Sequence, residues 1–224
     1  MNSGPLIFVG LFFAMSVSWY TMVFKPVFEL GRQTPVASQP SNQIYPQPRP
    51  GLAKQGADIY RANGCVTCHT QQARDGKTTS DQARGWGVRL TVAQDYLLDE
   101  PPQLGWIRLG PDLSNMGTRL GDPKAQLLHL YNPQMTMKGS KMPPYPFLFE
   151  TRKIRNQTSP EALVLATEYA PAAGYEVVPT DSAKAVVAYL ASLRSDMPLF
   201  EAPMPQPKTN DAASATSTNS PAAK

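Results

Sequence analysis

One five-residue run constrains this chain more than any other feature: Cys65, Val66, Thr67, Cys68 and His69. It uses both cysteines of the 224-residue sequence. Two thiols at C-x-x-C spacing with an imidazole directly after them are the pattern of covalent haem attachment, in which the thiols bond to the haem vinyl groups and the histidine binds iron. The run therefore predicts a domain built around one covalently attached haem c, with His69 as an iron ligand.

Two other kinds of site also use closely spaced cysteines. A redox dithiol of the thioredoxin type opens a helix after an apolar strand, whereas residues 56–64 before the motif are polar and helix-like. A zinc site needs four ligands, and only His129 remains to complete a set with the motif residues. Adjacent Cys68 and His69 cannot easily point at one ion, so the pattern favours haem.

The N-terminal segment predicts a membrane anchor. Residues 5–24 contain no charged side chain, and about 20 apolar residues at ~1.5 Å rise span a bilayer core of roughly 30 Å. A cleaved signal peptide is the alternative, but no Lys or Arg precedes the apolar run and no Ala-x-Ala site follows it. We therefore expect residues 1–32 to form a retained anchor in the cytoplasmic membrane, with the lipid bilayer as a partner.

Composition divides the rest of the chain into three parts. Residues 33–50 carry five prolines and predict an extended, semi-rigid stalk. Residues 199–224 are rich in Pro, Ala, Ser and Thr and predict a disordered tail. The packed domain is therefore expected over residues 51–198. The net charge of +4 is scattered along the chain, and no motif suggests nucleic-acid binding.

Three helices are predicted inside the packed domain. They are expected over residues 52–63, 123–130 and 183–193, the last capped by Asp181 or Ser182. No stretch shows the alternation of a strand. A helix before the motif and an apolar helix near the end of the domain resemble the crossed terminal helices of class I cytochromes c. The predicted fold class is therefore all-α, a class I cytochrome c-like haem domain with one N-terminal transmembrane helix.

A second iron ligand is expected on the other face of the haem, because a methionine there raises the reduction potential and leaves no open position. Met142 is the leading candidate, since the prolines after it stiffen a loop that cannot be helical. Met135 and Met137 follow, because flexible methionine side chains leave the choice open. His129 is a further alternative, although its place in a predicted helix favours packing against the core.

Other residues are candidates for holding the cofactor. In class I cytochromes a Gly-Pro pair brings a backbone carbonyl onto the proximal imidazole, and Pro111 in the run Gly110–Leu113 resembles it. Haem propionates are carboxylates that arginine can pair with, and the arginines in the middle of the domain are Arg89, Arg108 and Arg119. Trp86 and Trp106 are candidates for lining the haem pocket or its edge, and ordinary core packing explains them equally well.

Several motifs occur in an order that resembles one family. They are Gly56 with Tyr60, Gly64–Arg74 (GCVTCHTQQAR), Gly110–Leu113 (GPDL), His129–Pro133 (HLYNP) and Met142–Leu148 (MPPYPFL). With the N-terminal anchor, this order resembles the membrane-anchored monohaem cytochrome subunit, subunit II, of cbb3-type cytochrome c oxidases. The resemblance covers residues 5–150. It implies that Cys65 and Cys68 hold the haem and that His69 and Met142 ligate the iron.

The resemblance implies an electron-transfer subunit that is not an enzyme by itself. It would dock on a catalytic haem-copper oxidase subunit and other cytochrome subunits, with the haem domain on the periplasmic or outer side. Cytochromes of the c type receive haem on that side, which outweighs the weak signal of Lys25 and Arg32 after the anchor. Alternatives are a cytochrome subunit of a nitric oxide reductase or other respiratory complex, a stand-alone membrane-tethered carrier and, if Met142 does not bind iron, a peroxidase-like enzyme.

Overall fold

The computed structural model describes residues 3–31, 33–37 and 42–204. Its elements are, in chain order, α1 Gly4–Trp19, a π-helical turn Tyr20–Phe24, α2 Lys25–Leu30, β1 Val36–Ala37, β2 Ile44–Tyr45, α3 Gly51–Ala62, α4 Cys65–Cys68, α5 Met116–Arg119, α6 Pro123–Tyr131, α7 Pro133–Thr136, β3 Phe149–Lys153, β4 Tyr175–Pro179 and α8 Asp181–Ser192. Short 3₁₀ turns lie at Ala93–Tyr96, Pro146–Leu148 and Thr167–Tyr169.

The apolar N-terminal segment is one continuous helical stretch, formed by α1, the π-helical turn and α2. Within the described ranges, Gly4–Glu29 is the one helix long and apolar enough to cross a membrane. None of the residues of α1 is buried against the rest of the protein, although exposing apolar side chains to water is unfavourable. This exposure suits a helix surrounded by lipid, and the helix fits a membrane-anchored subunit.

The core of the domain lies where α3 and α8 pack on each other. Ala53, Gly56 and Tyr60 are the buried residues of α3, and their spacing of three and four puts them on one helical face. The ring of Tyr60 lies 5.3 Å from that of Tyr189 on α8. Gly56 permits this approach, because a Cβ atom there would lie 1.9 Å from the Ala185 backbone oxygen. Both terminal helices predicted from the sequence are therefore present and in contact.

The N-cap of α8 differs from the prediction. Thr180, rather than Asp181 or Ser182, is the N-cap residue. Its hydroxyl oxygen accepts a hydrogen bond from Ala183 N at 3.4 Å and donates one to Leu148 O at 2.7 Å. The second bond reaches a residue that is distant in the sequence. Which of the three neighbouring polar residues 180, 181 and 182 caps the helix therefore depends on tertiary structure.

The all-α prediction is only partly correct, because the described chain contains two short antiparallel sheets. β3 pairs with β4, with Phe149 opposite Pro179 and Lys153 opposite Tyr175, and β1 pairs with β2. Only the first residue of β3 is buried, whereas the last four residues of β4 are buried. Neither strand alternates between buried and exposed residues, so the period-two signal that marks a strand in a sequence is missing.

The described part of the segment predicted as a stalk lies against the domain. Tyr45 is buried, and its hydroxyl donates a hydrogen bond to Asp95 Oδ1 at 2.5 Å. The side-chain amide of Gln94 donates to the backbone oxygens of Thr34 and Tyr45, at 2.9 and 3.3 Å. Residues 38–41 of this segment lie outside the described residues. Where it is described, the segment therefore does not stand free of the domain.

A buried ion pair fastens the same region. Arg89 and Asp95 are joined by two hydrogen bonds of 2.6 and 2.9 Å, and their side chains are 1% and 4% exposed. Arg89 also donates to the backbone oxygen of Met197 at 2.5 Å. Removing one partner of such a pair would leave an uncompensated buried charge, so replacing Arg89 or Asp95 alone would be strongly destabilising. The tail predicted over residues 199–224 falls mostly on residues 205–224, which lie outside the described part.

Candidate haem site

The C-x-x-C-H motif forms a single helical turn, α4, directly after α3. Gly64 separates the two helices with a φ of 68°, a left-handed conformation that glycine adopts without a steric penalty. The turn presents Cys65 and Cys68 together, because residues three apart share a helix face. Both are free and partly buried. His69 leaves the helix in an extended conformation, with φ at −115°.

The His69 ring is held by a backbone carbonyl. Its Nδ1 atom lies 2.9 Å from Pro111 O. A carbonyl oxygen only accepts hydrogen bonds, so Nδ1 must carry the proton and Nε2 keeps the lone pair that can bind a metal. Burial lowers the pKa of His69, which also favours the neutral ring. The structure thus places the Pro111 carbonyl beside the imidazole and leaves the Nε2 atom with its lone pair.

Two glycines let the backbone close around His69. A Cβ atom at Gly110 would lie 2.3 Å from Cε1 of the imidazole. At Gly105, where φ is 79°, a Cβ atom would lie 2.6 Å from the backbone oxygen of His69. Sequence reasoning places Gly110 in the Gly-Pro pair expected beside the imidazole, without its contact with the ring, and does not identify Gly105. A glycine on each side of the short run 106–109 is the available signal in the sequence, and it is weak.

Met142 lies in a loop that is tied to the core. It is partly buried and packs against the hydrophobic cluster of the domain, as Cys65 and Tyr145 do. The Met142 backbone N–H donates to Ser140 Oγ at 3.3 Å, and the Tyr145 N–H donates to Leu130 O at 3.0 Å. The loop therefore brings the Met142 thioether to the cluster that Cys65 also packs against.

The other ligand candidates have different surroundings. Met137 is 63% exposed, whereas Met135 is partly buried. The Nδ1 atom of His129 lies 2.5 Å from Thr136 Oγ1. Burial lowers the pKa of His129, and its electrostatic interaction with His69 lowers it further. His129 is therefore within electrostatic range of the motif histidine, and its Nδ1 is already engaged.

The three arginines considered for the haem propionates differ in how far they are already paired. Arg89 is used in the buried ion pair with Asp95. Arg108 donates at 2.6 to 2.8 Å to Thr70 Oγ1, Asp81 Oδ1 and Gln72 O. Arg119 donates through Nη2 to the backbone oxygen of Asp112, while its buried Nε has no partner among the described residues. Arg119 thus keeps one buried donor for a further acceptor.

The two candidate tryptophans lie apart from the hydrophobic cluster. Trp106 is 88% exposed, on a loop where Leu109 is 75% exposed. The ring of Trp86 is instead covered by Arg84, whose guanidinium carbon lies 4.8 Å from the ring centroid. Within the residues that the structure describes, neither ring belongs to the cluster that contacts Met142.

The residues that are present fit a haem. Two adjacent free thiols can form thioether bonds, and a neutral imidazole and a thioether sulfur are both ligands that haem iron takes. Val66, Met116 and Tyr145 are partly buried and pack against the same hydrophobic cluster as Cys65 and Met142. In the described ranges, no group of three or more His, Cys, Asp and Glu is arranged to hold a bare metal ion.

A monohaem cytochrome of a membrane complex requires a site of this kind, on a domain that follows an apolar helix. The chain represents this class of protein. A family model described as "Cytochrome C oxidase, mono-heme subunit/FixO" matches residues 21–197, well over half of the chain. The chain belongs to this family, which confirms the resemblance to the monohaem subunit of cbb3-type oxidases. A comparison with curated proteins found no match.

Proposed function

We propose that the chain is the electron-relay subunit of a membrane terminal oxidase, with one haem c attached to Cys65 and Cys68 and ligated by His69 and Met142. The observation that carries the proposal is the hydrogen bond from His69 Nδ1 to Pro111 O, which orients the ring and leaves Nε2 for iron. When bound, the haem supplies one-electron chemistry, and two protein ligands leave no position open to a substrate. The chain alone is therefore not an enzyme.

The chain's own residues would hold and orient the cofactor. The Pro111 carbonyl fixes the imidazole plane and strengthens its donation, as outer partners of metal-binding histidines do. Arg119 offers a propionate its buried Nε, which has no partner in the part of the chain that the structure describes. Arg108 is already paired inside the protein, and Trp106 is exposed, so neither of them supports the proposal.

The contacts of the linker favour a relay subunit over a tethered carrier. A carrier that swings between complexes needs a segment free to reorient between its anchor and its haem domain. Here Thr34, shortly after the end of α2, is hydrogen-bonded to Gln94 of the domain at 2.9 Å. Tyr45 is also bonded to the domain, through Asp95. A domain held so near its anchor suits electron transfer between fixed partners in one complex.

The proposed partners are a catalytic haem-copper subunit and other cytochrome subunits, because the matching family is a cytochrome c oxidase subunit family. The candidate membrane helix Gly4–Glu29 would insert in the cytoplasmic membrane, with the haem domain on the outer side, where c-type haem is attached. A cytochrome subunit of a nitric oxide reductase would share the local chemistry, but the family match favours the oxidase.

Met142→Ala is expected to remove the methionine–iron charge-transfer band of the oxidised protein. It should also lower the reduction potential by about 100 mV or more, because axial ligands tune haem potentials over a range of ~0.8 V. Spectroelectrochemical titration of the full-length, haem-loaded chain in detergent measures both changes.

Met137→Ala is the matched control for this substitution. Met137 lies five residues earlier and is 63% exposed, so its removal should leave both the spectrum and the potential unchanged. An unchanged Met142→Ala spectrum would contradict ligation by Met142. Loss of the band in Met137→Ala or Met135→Ala would reassign the ligand to that methionine.

Mild detergent extraction tests whether the chain is a subunit of an oxidase. We expect the haem to stay on the chain after denaturation and the native chain to elute with a haem-copper subunit. Replacing both Cys65 and Cys68 by alanine should abolish the covalent haem. A haem-loaded chain that elutes alone would contradict the relay-subunit proposal and favour a tethered carrier, whereas a native chain without covalent haem would contradict both.

A further inference from the structure

The loop that carries Pro111 runs beside the end of the haem motif and the residues that follow it. Backbone hydrogen bonds join the two on either side of the Pro111 carbonyl, from Gly110 N to Cys68 O at 3.1 Å and from Leu113 N to Thr70 O at 2.8 Å. Because proline has no N–H to donate, Pro111 cannot anchor its own carbonyl through a backbone hydrogen bond that it donates. The direction of the bond to His69 therefore depends on what holds the neighbouring residues.

The side chain of Asp112 holds this loop from the inside. Asp112 is fully buried, at 0% exposure. Its carboxylate oxygens accept hydrogen bonds from Thr70 Oγ1 at 2.6 Å, Gln72 N at 2.7 Å, Ser114 Oγ at 2.6 Å and Ser114 N at 2.9 Å. Two of these donors lie in the segment directly after His69. A carboxylate held by four donors has little freedom to move, so it fastens the loop to that segment.

The charge of Asp112 is only partly compensated by nearby arginines. Arg108 Nη2 lies 3.4 Å from Asp112 Oδ2, but the same guanidinium contacts Asp81 more closely, at 2.6 Å. Arg119 reaches the backbone oxygen of Asp112 instead of its carboxylate. A negative charge therefore lies one residue away from the carbonyl bonded to His69, in a buried place where charges interact strongly.

We propose that Asp112 is a positioning residue for His69, which fastens the Pro111 loop and so fixes the direction of the Nδ1–H bond to Pro111 O. This inference rests on the proposed function, in which His69 ligates the haem iron. A firmly held acceptor strengthens the donation of the imidazole to iron, and a fixed negative charge nearby favours the ferric state. Both effects lower the reduction potential, so Asp112 sets it below the value that the two axial ligands alone would give.

Asp112→Asn tests this role, because it removes the charge at almost constant volume and turns one of the two acceptors into a donor, which then faces the N–H of Gln72 or of Ser114. The ratio of reduced to oxidised haem at a fixed ambient potential should rise about tenfold, which is ~59 mV for a one-electron couple. The measurement is a spectroelectrochemical titration of the full-length, haem-loaded chain in detergent. Hydrogen exchange of the His69 Nδ1 proton, followed by NMR, should also become faster.

Asp81→Asn is the matched control. Asp81 is likewise buried, at 2% exposure, pairs with the same Arg108 and accepts a hydrogen bond from Arg74 N at 2.8 Å. Among the described hydrogen bonds, none joins Asp81 to residues 110–114, which surround the Pro111 carbonyl. This variant should lose comparable thermal stability, but the rise in potential should be less than half as large. Equal shifts in the two variants would overturn the proposal, since Asp112 would then act through the fold alone.

Ser114→Ala decides the question if the Asp112→Asn variant does not load haem. It removes the hydroxyl that lies 2.6 Å from Asp112 Oδ1 and leaves the charge in place. A smaller rise in potential with faster exchange of the His69 Nδ1 proton would support the proposal, and no change in either would overturn it. Wild-type protein without covalent haem would instead contradict the proposed function. Failure of the role proposed for Asp112 and failure of the proposed function are therefore distinguishable.

Discussion

Gly56→Ala is expected to destabilise the haem domain by more than about 3 kcal/mol, the upper end of the usual cost of overpacking a core. The new Cβ atom would lie 1.9 Å from the Ala185 backbone oxygen and 2.8 Å from Tyr189 Cβ. Alanine is the better helix former by ~1 kcal/mol, but that gain cannot offset a clash with the backbone of the facing helix. α3 and α8 would have to separate, which would open the contact between Tyr60 and Tyr189.

Chemical denaturation of the full-length, haem-loaded chain, followed by the Soret band and by far-UV circular dichroism, measures this loss. Gly51→Ala is the matched control, because Gly51 begins the same helix and has nothing within 4 Å of its Cβ position. Its effect should stay within about 0.5 kcal/mol. A Gly56→Ala variant as stable as Gly51→Ala would show that α3 and α8 do not approach each other at this residue.

The helices are the part of the fold that local sequence predicts well. α6, for example, has Asp122 as its N-cap, and the side chain of this residue accepts a hydrogen bond from Lys124 N at 2.9 Å. Pro123 occupies the first helical position. The G-x-x-x-Y spacing identifies Gly56 and Tyr60 as a motif. Only the contact with α8 explains why residue 56 has no side chain, because the clashing atoms belong to a distant part of the chain.

The strands and the linker are less predictable, because their signals come from partners elsewhere in the chain. β3 exposes four of its five residues and is held by β4, where Arg152 Nε donates to Glu176 Oε1 at 2.8 Å between paired residues. The prolines of the linker predict an extended stalk, and they give no sign that β1 and β2 pair with each other inside this segment. They do not show that Tyr45 is buried against Asp95, since composition describes the backbone and not the surface that it contacts.

The haem motif is predictable because its chemistry falls within Cys65–His69, whereas the residues around it are not. The carbonyl of Pro111 contacts His69 across 42 residues, and a likeness to class I cytochromes is what suggests it. No local pattern indicates Asp112, whose carboxylate acts through donors at positions 70, 72 and 114 that only the folded chain brings together. Sequence thus predicts the atoms that would bind the cofactor, and the folded chain adds Asp112 to the residues proposed to orient them.

Gly110→Ala is expected to disrupt ligation of the haem by His69. The new Cβ atom would lie 2.3 Å from Cε1 and 2.7 Å from Nδ1 of the imidazole. The ring would have to turn away, which would break its 2.9 Å hydrogen bond to Pro111 O. Loss of an outer partner of a metal-binding histidine weakens binding at least roughly tenfold. We therefore expect less covalent haem per chain and a large high-spin fraction in what remains.

Gly121→Ala is the control for this substitution, because nothing lies within 4 Å of a Cβ atom at Gly121. Neither glycine has a positive φ, so alanine introduces no backbone strain at either position and the two variants differ in the contact with His69. Haem staining after denaturing electrophoresis reports covalent attachment, and optical and EPR spectra report the spin state. A Gly110→Ala protein with the haem content and low-spin spectrum of Gly121→Ala would mean that the imidazole does not lie against this glycine, and the orientation assigned to His69 would have to be abandoned.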